Sequence, residues 1–458
     1  MVTLAGTPAR QLPPLVSGSR GWGLGHLLEL HASSHSLLQR GVDEHGHVFR
    51  IAMPAGKTAV VLLGEHVRPA RDRHTFFGNS FSTQAAYPFF TKMFAPDFFS
   101  LGSPEEYVKQ KGLIQPTLVT HDQVGAYLDI MNDEVIRFVD NLGDEGEFEL
   151  TDEMGGLVLR IAARCFLGET FAAEMPQNFF ALMRDFSELI SPLPKWLPTL
   201  KGVKGMSAGK QMKRTIAAII ESRRANPLAE PDFVQILATQ PYPDGSPVPI
   251  HVLVNLVLLL LWAGHETTTG HSAFAILSIL LRKEVLAKAR AEVDEVFSGR
   301  DTLDQAAVAR LSYLDACIHE TERVHPIAPL IARNTTSDIE IGDFLIPADT
   351  IVFTSPGIQH KLPSVFPDRP DEFDPERFLN QHTRAGRREL IGFGAGRHHC
   401  LGMHFAKLET SIVLAHLHRR LDMQVSTGEP RPIQRTTSQW PESPCRIAYR
   451  KRDLPALP

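Results

Sequence analysis

The sequence of 458 residues is poor in cysteine. Only Cys165, Cys317, Cys400 and Cys445 occur, with no close pair and no zinc-type spacing, which excludes a disulfide scaffold and suggests a reducing compartment. Long apolar runs are also missing. The longest, Val252 to Gly264, is interrupted by Asn255 and falls short of the roughly 18 residues a spanning helix needs, so no transmembrane anchor is expected. Met1 to Gly21 contains Pro13, Pro14 and several polar residues rather than the apolar centre of a signal peptide. The expectation is a soluble, cytoplasmic protein. With a net charge of −5 there is no basic excess, hence no electrostatic footprint for nucleic acid. No Gly/Ser-rich or Pro-rich linker and no internal repeat divides the chain. The length alone suggests about three domains, but the missing linkers favour one, spanning 1–458.

What is present is mostly helical periodicity. After a loop rich in Pro and Gly, Leu27 to Gly41 reads as a short amphipathic helix. His47 to Met53 and Thr58 to Leu63 are β-type runs separated by Pro54-Ala55-Gly56, which predicts a hairpin. Ser103-Pro104-Glu105-Glu106 has a capping serine, a first-turn proline and acids at the positive end of a helix dipole. Helical patterns follow over Gln123 to Leu142, Glu153 to Phe166, Gln177 to Leu189 and Met206 to Arg224, and helix dominates to about residue 330. Short β-type runs return at Ile339 to Ile346, Ile351 to Phe353 and Pro444 to Tyr449. The fold class is therefore mainly α with a minor, segregated β part. Residues 1–85 form an N-terminal segment with the hairpin, 86–335 are mainly helical, and 336–458 hold β segments and a C-terminal helix and hairpin.

Two stretches carry chemistry. The first is Phe393-Gly394-Ala395-Gly396-Arg397-His398-His399-Cys400-Leu401-Gly402. Its glycines let the backbone take positive φ and approach a flat ligand, Phe393 offers an aromatic face beside the sulfur, and an apolar helix is predicted from Leu401 onward. Cys400 then lies at a helix N-terminus, where unpaired N–H groups and the dipole favour a thiolate. This fits a loop that gives an iron porphyrin its sulfur ligand. A buried cysteine in a tight turn, or a small metal site of His398, His399, Cys400 and His404, would also fit these ten residues. The second stretch interrupts Pro249 to Arg282, which reads as one long helix, apolar on nearly all faces and so interior. At its centre Ala263-Gly264-His265-Glu266-Thr267-Thr268-Thr269-Gly270 puts an acid, hydroxyls and small residues where leucines would be usual. A buried carboxylate is costly unless bonded or useful, and threonines can bond back one turn and loosen the helix.

Aromatic-Gly-x-Gly-x-(basic)-x-Cys-x-Gly resembles the ligand loop of cytochrome P450 haem-thiolate monooxygenases, and Ala263-Gly264-His265-Glu266-Thr267 resembles that family's motif on the helix crossing its haem. The resemblance implies a P450 fold around a buried haem b (iron protoporphyrin IX) with Cys400 as iron ligand and Phe393, Gly394, His398 and Gly402 in the binding loop. Glu266 would be the acid and Thr267 the hydroxyl of proton delivery. Glu320 and Arg323, at i,i+3 in Leu314 to Arg323, match the family's Glu-x-x-Arg helix, with Arg377 of Asp374-Pro375-Glu376-Arg377-Phe378 as third member of a structural network. Arg333 and His398 would pair with haem propionates. Electrons would come from NAD(P)H through a separate ferredoxin or flavodoxin with its reductase. Lys109, Lys111, Arg387, Arg388, Lys407, Arg419 and Arg420 are candidates for a basic patch facing such a donor.

Ala86 to Pro96 is similar to the segment of sterol 14α-demethylases in which a tyrosine reaches a propionate and aromatics touch the sterol. On that resemblance Tyr87, Phe89, Phe94, Trp262, Ala263 and Leu330 line the substrate pocket. Two departures stand out: Glu266-Thr267 replaces the demethylases' His-Thr, and Glu106, Tyr107 and Val108 stand where they carry basic residues. The reading is a sterol-demethylase-like monooxygenase whose substrate is a sterol or another steroid, terpenoid or fatty acid. A P450-fold peroxygenase and a non-catalytic haem- or lipid-binding protein are the remaining alternatives.

Overall fold

A computed structural model describes residues 11–18, 23–67, 76–83, 86–87, 90–119, 121–173, 179–190, 199–379, 384–435 and 437–454. Its contacts divide the chain into two compact units, each assembled from segments distant in sequence: Met1–Tyr87, Pro329–Pro370 and Arg388–His399 in one, and Pro88–Ala328, Asp371–Arg387 and Cys400–Pro458 in the other.

The first unit is built on a five-stranded sheet, in the order Val48–Ala52, Thr58–Leu62, Ile351–Thr354, Ile331–Thr335, Phe81–Ser82. The predicted hairpin is its first pair, with Val48 opposite Leu62 and Ala52 opposite Thr58. Its turn needs positive φ at Ala55 and Gly56. Among the strand pairs of this sheet in the described residues, only that of Thr58–Leu62 with Ile351–Thr354 is parallel. The run from Ile339 to Ile346 is two strands, Ile339–Ile341 and Phe344–Ile346, reversed at Gly342. Val60, Leu62, Phe76, Phe81, Ile331 and Val352 pack the core beneath this sheet.

The second unit is helical. Its centre is Ile250–Leu280, whose residues Leu253, Leu256, Val257, Leu258 and Leu261 are buried around the whole circumference. That explains the missing amphipathicity: a helix surrounded by others needs no polar face. Leu150–Leu167 and Leu200–Ala225 pack on it. Pro104–Val119 starts as predicted, with Ser103 Oγ accepting the Glu106 N–H at 3.2 Å. The helix after the cysteine loop is Met403–Arg420, two residues later than expected, because Leu401 and Gly402 form a turn first. A three-stranded sheet of Glu145–Glu149, Arg446–Lys451 and Leu421–Val425 and a hairpin of Pro432–Arg435 with Ser438–Pro441 also belong to this unit.

Candidate active site

Cys400 is exposed, whereas the other three cysteines are buried. Protein nevertheless crowds it, and burial pushes its thiol up, while the N–H groups of Gly402 and Met403 donate to the sulfur and, with Lys111, oppose the shift. A sulfur held by two N–H donors at a helix N-terminus, with one side open, is the donor set a thiolate-bound metal requires. Cys165, Cys317 and Cys445 are buried, and burial raises each of them. Among the described residues no three His, Cys, Asp or Glu side chains gather as a ligand group, so the rival small metal site has no support.

On the long helix of the same unit, Thr267 is exposed and donates to Ala263 O at 2.6 Å, and Thr269 donates to His265 O at 2.7 Å. These are the back-bonds expected one turn earlier, yet the helix stays continuous from Ile250 to Leu280. His265 faces away, its Nε2 3.2 Å from Gly155 O; desolvation lowers it to about 4, so it is a neutral structural imidazole. Burial raises the Glu266 carboxyl, against the opposing pull of Ser187, Arg435 and Ser438. Ser438 Oγ reaches Glu266 Oε2 at 3.4 Å, and Trp262 Nε1 donates to Ser187 at 3.0 Å. The sequence offers no local signal for either serine, Ser438 lying 172 positions from Glu266. Gly270 does leave one: a Cβ there would meet Gln439 O at 2.8 Å, so the glycine admits the strand that carries Ser438.

Glu320 and Arg323 have no accessible side-chain surface and form two bonds, Nε to Oε2 at 2.7 Å and Nη2 to Oε1 at 2.8 Å. Arg377 Nε lies 3.4 Å from Glu320 Oε1, the Asp374 N–H donates to the same oxygen at 2.8 Å, and Arg323 Nη2 donates to Glu372 O at 2.6 Å. Removing one partner from such a buried pair strands a charge. Glu320→Gln is expected to cost roughly 3–5 kcal/mol in urea or thermal unfolding; a loss below about 1 kcal/mol, the range of exposed pairs, would make the network incidental.

The first unit holds the other loop residues. Gly394 and Gly396 take φ of 70° and 65°, and a Cβ on Gly396 would lie 2.6 Å from Phe77 O. His398 Nδ1 is 3.4 Å from Thr83 Oγ1. Arg333 is buried against the Phe76 and Phe77 rings and bonds Ala332 O at 2.8 Å, while the Ala332 N–H donates to Tyr87 Oη at 3.1 Å. The strand Ile331–Thr335 thus brings Tyr87 and Arg333 together. Phe393 and Leu330 are half-buried in this unit. Of the remaining pocket candidates, Phe94 and Trp262 both contact the Phe90 ring at 5.6 and 6.2 Å in the second unit, Ala263 is half-buried beside them in sequence, and Phe89 lies outside the described residues. The basic patch is largely neutralised: Lys109, Arg387, Arg419 and Arg420 pair with Asp244, Asp315, Asp294 and Asp301 at 3.0, 2.8, 2.9 and 2.7 Å, and Lys407 lies 3.6 Å from Glu322.

Residues 15–448 match the family model for cytochrome P450. The chain belongs to the cytochrome P450 family. It is a monooxygenase, and the family implies a haem-thiolate cofactor, a hydrophobic substrate and a redox partner. The P450 is 27% identical over 425 residues to a sterol 14alpha-demethylase of Mycobacterium tuberculosis, covering 90% of this chain and 92% of that protein. It is 27% identical over 441 residues to the obtusifoliol 14-alpha demethylase of Sorghum bicolor, with coverages of 93% and 88%. Over 444 residues it is 26% identical to the lanosterol 14-alpha demethylase of Mus musculus, with coverages of 94% and 86%. Among solved structures, a retinoic acid-bound cyanobacterial CYP120A1 superposes with a TM-score of 0.83 at 22% identity, covering 97% of this chain and 100% of that one; the likeness establishes the P450 fold. Ile250–Leu280 is long and apolar enough to cross a membrane, but most of it is buried in the core.

Proposed function

We propose that this P450 oxidises a sterol or a closely related large lipid, in the manner of a 14α-demethylase. The observation that carries the reading is that relatives from a bacterium, a plant and a mammal, each aligned over 90% or more of the chain, are sterol 14-demethylases. The apolar surroundings of Phe90, Phe94 and Trp262 support it. Replacement of the demethylases' histidine by Glu266 favours, as second reading, another steroid, terpenoid or fatty acid.

Cys400 is the residue we assign to the iron, with Phe393, Gly394 and Gly402 shaping the loop and Arg333, His398 and Tyr87 as partners for the carboxylates of a haem b. The haem-thiolate group supplies O₂ activation, electron density from the sulfur favouring O–O cleavage. The protein's part is to exclude water with the apolar side chains of the long helix, to place the substrate beside Ala263, and to deliver protons. Glu266, its carboxyl raised by burial, holds a proton to higher pH than an exposed glutamate, and Thr267 beside it passes or positions one. We further infer a single functional domain over 1–458 in the cytoplasm, fed from NAD(P)H by a ferredoxin or flavodoxin and its reductase.

The test is a visible-absorption titration of the purified ferric protein with 14α-methyl sterols, other steroids, terpenoids and fatty acids. A low-to-high-spin Soret shift with the sterols, followed by formate and demethylated product on turnover, is the expected result. A shift only with another lipid would retain the P450 chemistry and remove the sterol.

A further inference from the structure

The second unit contains a cavity of about 650 Å³, inside the range that accommodates a drug-sized ligand. One wall is the face of Leu200–Ala225 bearing Met206, Lys210, Lys213, Arg214 and Ala217. Their spacings of three and four residues put them on one stripe of the helix. The facing wall is the first two turns of the long helix, from Ile250 to Asn255, and Lys92 to Ala95 close one end. The lining is apolar over most of its surface and includes four Lys or Arg side chains but no Asp or Glu.

Among the described residues, the charges of Lys210, Lys213 and Arg214 are not accounted for by ion pairs with carboxylates. Lys213 is half-buried, donates to Met93 O at 2.7 Å and lies 6.0 Å over the Phe94 ring. Burial lowers its ammonium, and no carboxylate offsets that. A half-buried cation whose company among the described residues is a carbonyl and a ring is unfavourable unless something else repays its desolvation. Among the described residues neither Lys210 nor Arg214 pairs with a carboxylate. Asp97, just beyond the Lys92 to Ala95 wall in sequence, is bound to His251 Nε2 at 2.6 Å. Charge of one sign has therefore been gathered at the mouth of an apolar cavity on the same long helix that carries Glu266 and Thr267 about three turns further on.

We propose that this cavity binds an amphipathic anion, with the apolar body against Phe94, Met206, Ala217 and Val254 and a carboxylate or sulfate head on Lys210, Lys213 and Arg214. This rests on the monooxygenase reading and narrows it: the lipid substrate carries an anionic end. An ammonium and a guanidinium on successive positions of one stripe provide charge-assisted hydrogen bonds that a neutral sterol or an ester cannot accept with equal strength.

The test is isothermal titration calorimetry of the full-length holoprotein with two matched probe pairs, palmitate against methyl palmitate and cholesterol sulfate against cholesterol, below their aggregation limits. The absorption spectrum of the same sample independently reports whether haem-thiolate is present, so failure of the P450 cofactor assignment is separable from failure of this inference. The anionic member of each pair is expected to bind about tenfold more tightly, with a preference that shrinks as salt is raised. In Lys213→Met, which keeps the apolar stem over Phe94, and in the double variant Lys210→Gln/Arg214→Gln, the preference should fall about 3- to 10-fold while methyl palmitate changes little. Equal affinity for acid and ester in the parent protein would overturn the proposal. So would a preference that survives both variants, or binding seen only with vesicles containing phosphatidylglycerol, which would assign the lysines to a membrane surface instead.

Discussion

Cys400→Ser is expected to leave a folded protein that has lost the haem-thiolate absorption and its turnover. Serine Oγ is an acceptor of similar size, so the N–H groups of Gly402 and Met403 that donate to the sulfur keep a partner. The start of Met403–Arg420 should therefore survive, and its buried side chains Phe405, Ile412, Val413 and Leu417 continue to hold the helix in the core. What changes is the donor. A hydroxyl is harder and far less acidic than a thiol, so it neither ionises as readily nor transfers electron density to iron as a thiolate does. Removing a group that merely orients a metal ligand costs 10–100-fold in metal affinity or activity, so loss of the ligand itself should exceed about 100-fold. Two measurements separate the outcomes: the Soret spectrum of the reduced, carbon monoxide-treated protein, and the thermal midpoint. A thiolate-type spectrum in the variant would remove Cys400 from the iron. Cys317→Ala provides the opposite control, since its thiol is buried in the core; it should lower stability and leave the spectrum alone.

How much of this was legible beforehand differs element by element. The spacing predicts a long helix over Pro249 to Arg282 and the helix is Ile250–Leu280, because a helical pattern apolar on nearly all faces and bounded by proline and charge has few other solutions. The hairpin at Pro54-Ala55-Gly56 was equally plain, since β-type runs flank residues that turn the chain. Glu145–Glu149 was not seen as a strand. Three of its five residues are glutamate and only Phe148 is buried, and it is a strand only because Arg446–Lys451 pairs with it. The same division runs through the site. Cys400, Glu266, Thr267 and the Glu320–Arg323 pair lie in local motifs that the family resemblance singles out, and the structure shows the Glu320–Arg323 pair formed. Glu372 O and the Asp374 N–H, which complete the Glu320 and Arg323 valences, are backbone groups with no sequence signature. The cations around the cavity carry no motif of their own: that Lys210, Lys213 and Arg214 line an apolar cavity is a property of packing alone.

Glu266→Gln is expected to cut product formed per electron consumed by about 100-fold or more, the scale of a lost general acid, with smaller effects on substrate binding. The amide is close to isosteric and Ser438 can still bond its oxygen, so the helix is preserved while the exchangeable proton is lost. The pH profile carries the sharper information. Burial raises this carboxyl above the ordinary glutamate range; the protonated form is complete at low pH and is depleted as pH rises through the raised value. The glutamate-dependent part of the rate should therefore decline on the alkaline side, and the glutamine variant, having no proton to lose, should lack that limb. Ser438→Ala tests the same group without touching it. The serine's hydrogen bond favours the ionised carboxylate, so its removal should move the limb to higher pH while most of the rate remains. A limb that persists in Glu266→Gln, or one unmoved by Ser438→Ala, would assign proton delivery to a different group, and Thr267→Ala, measured in the same series, would then be the next place to look.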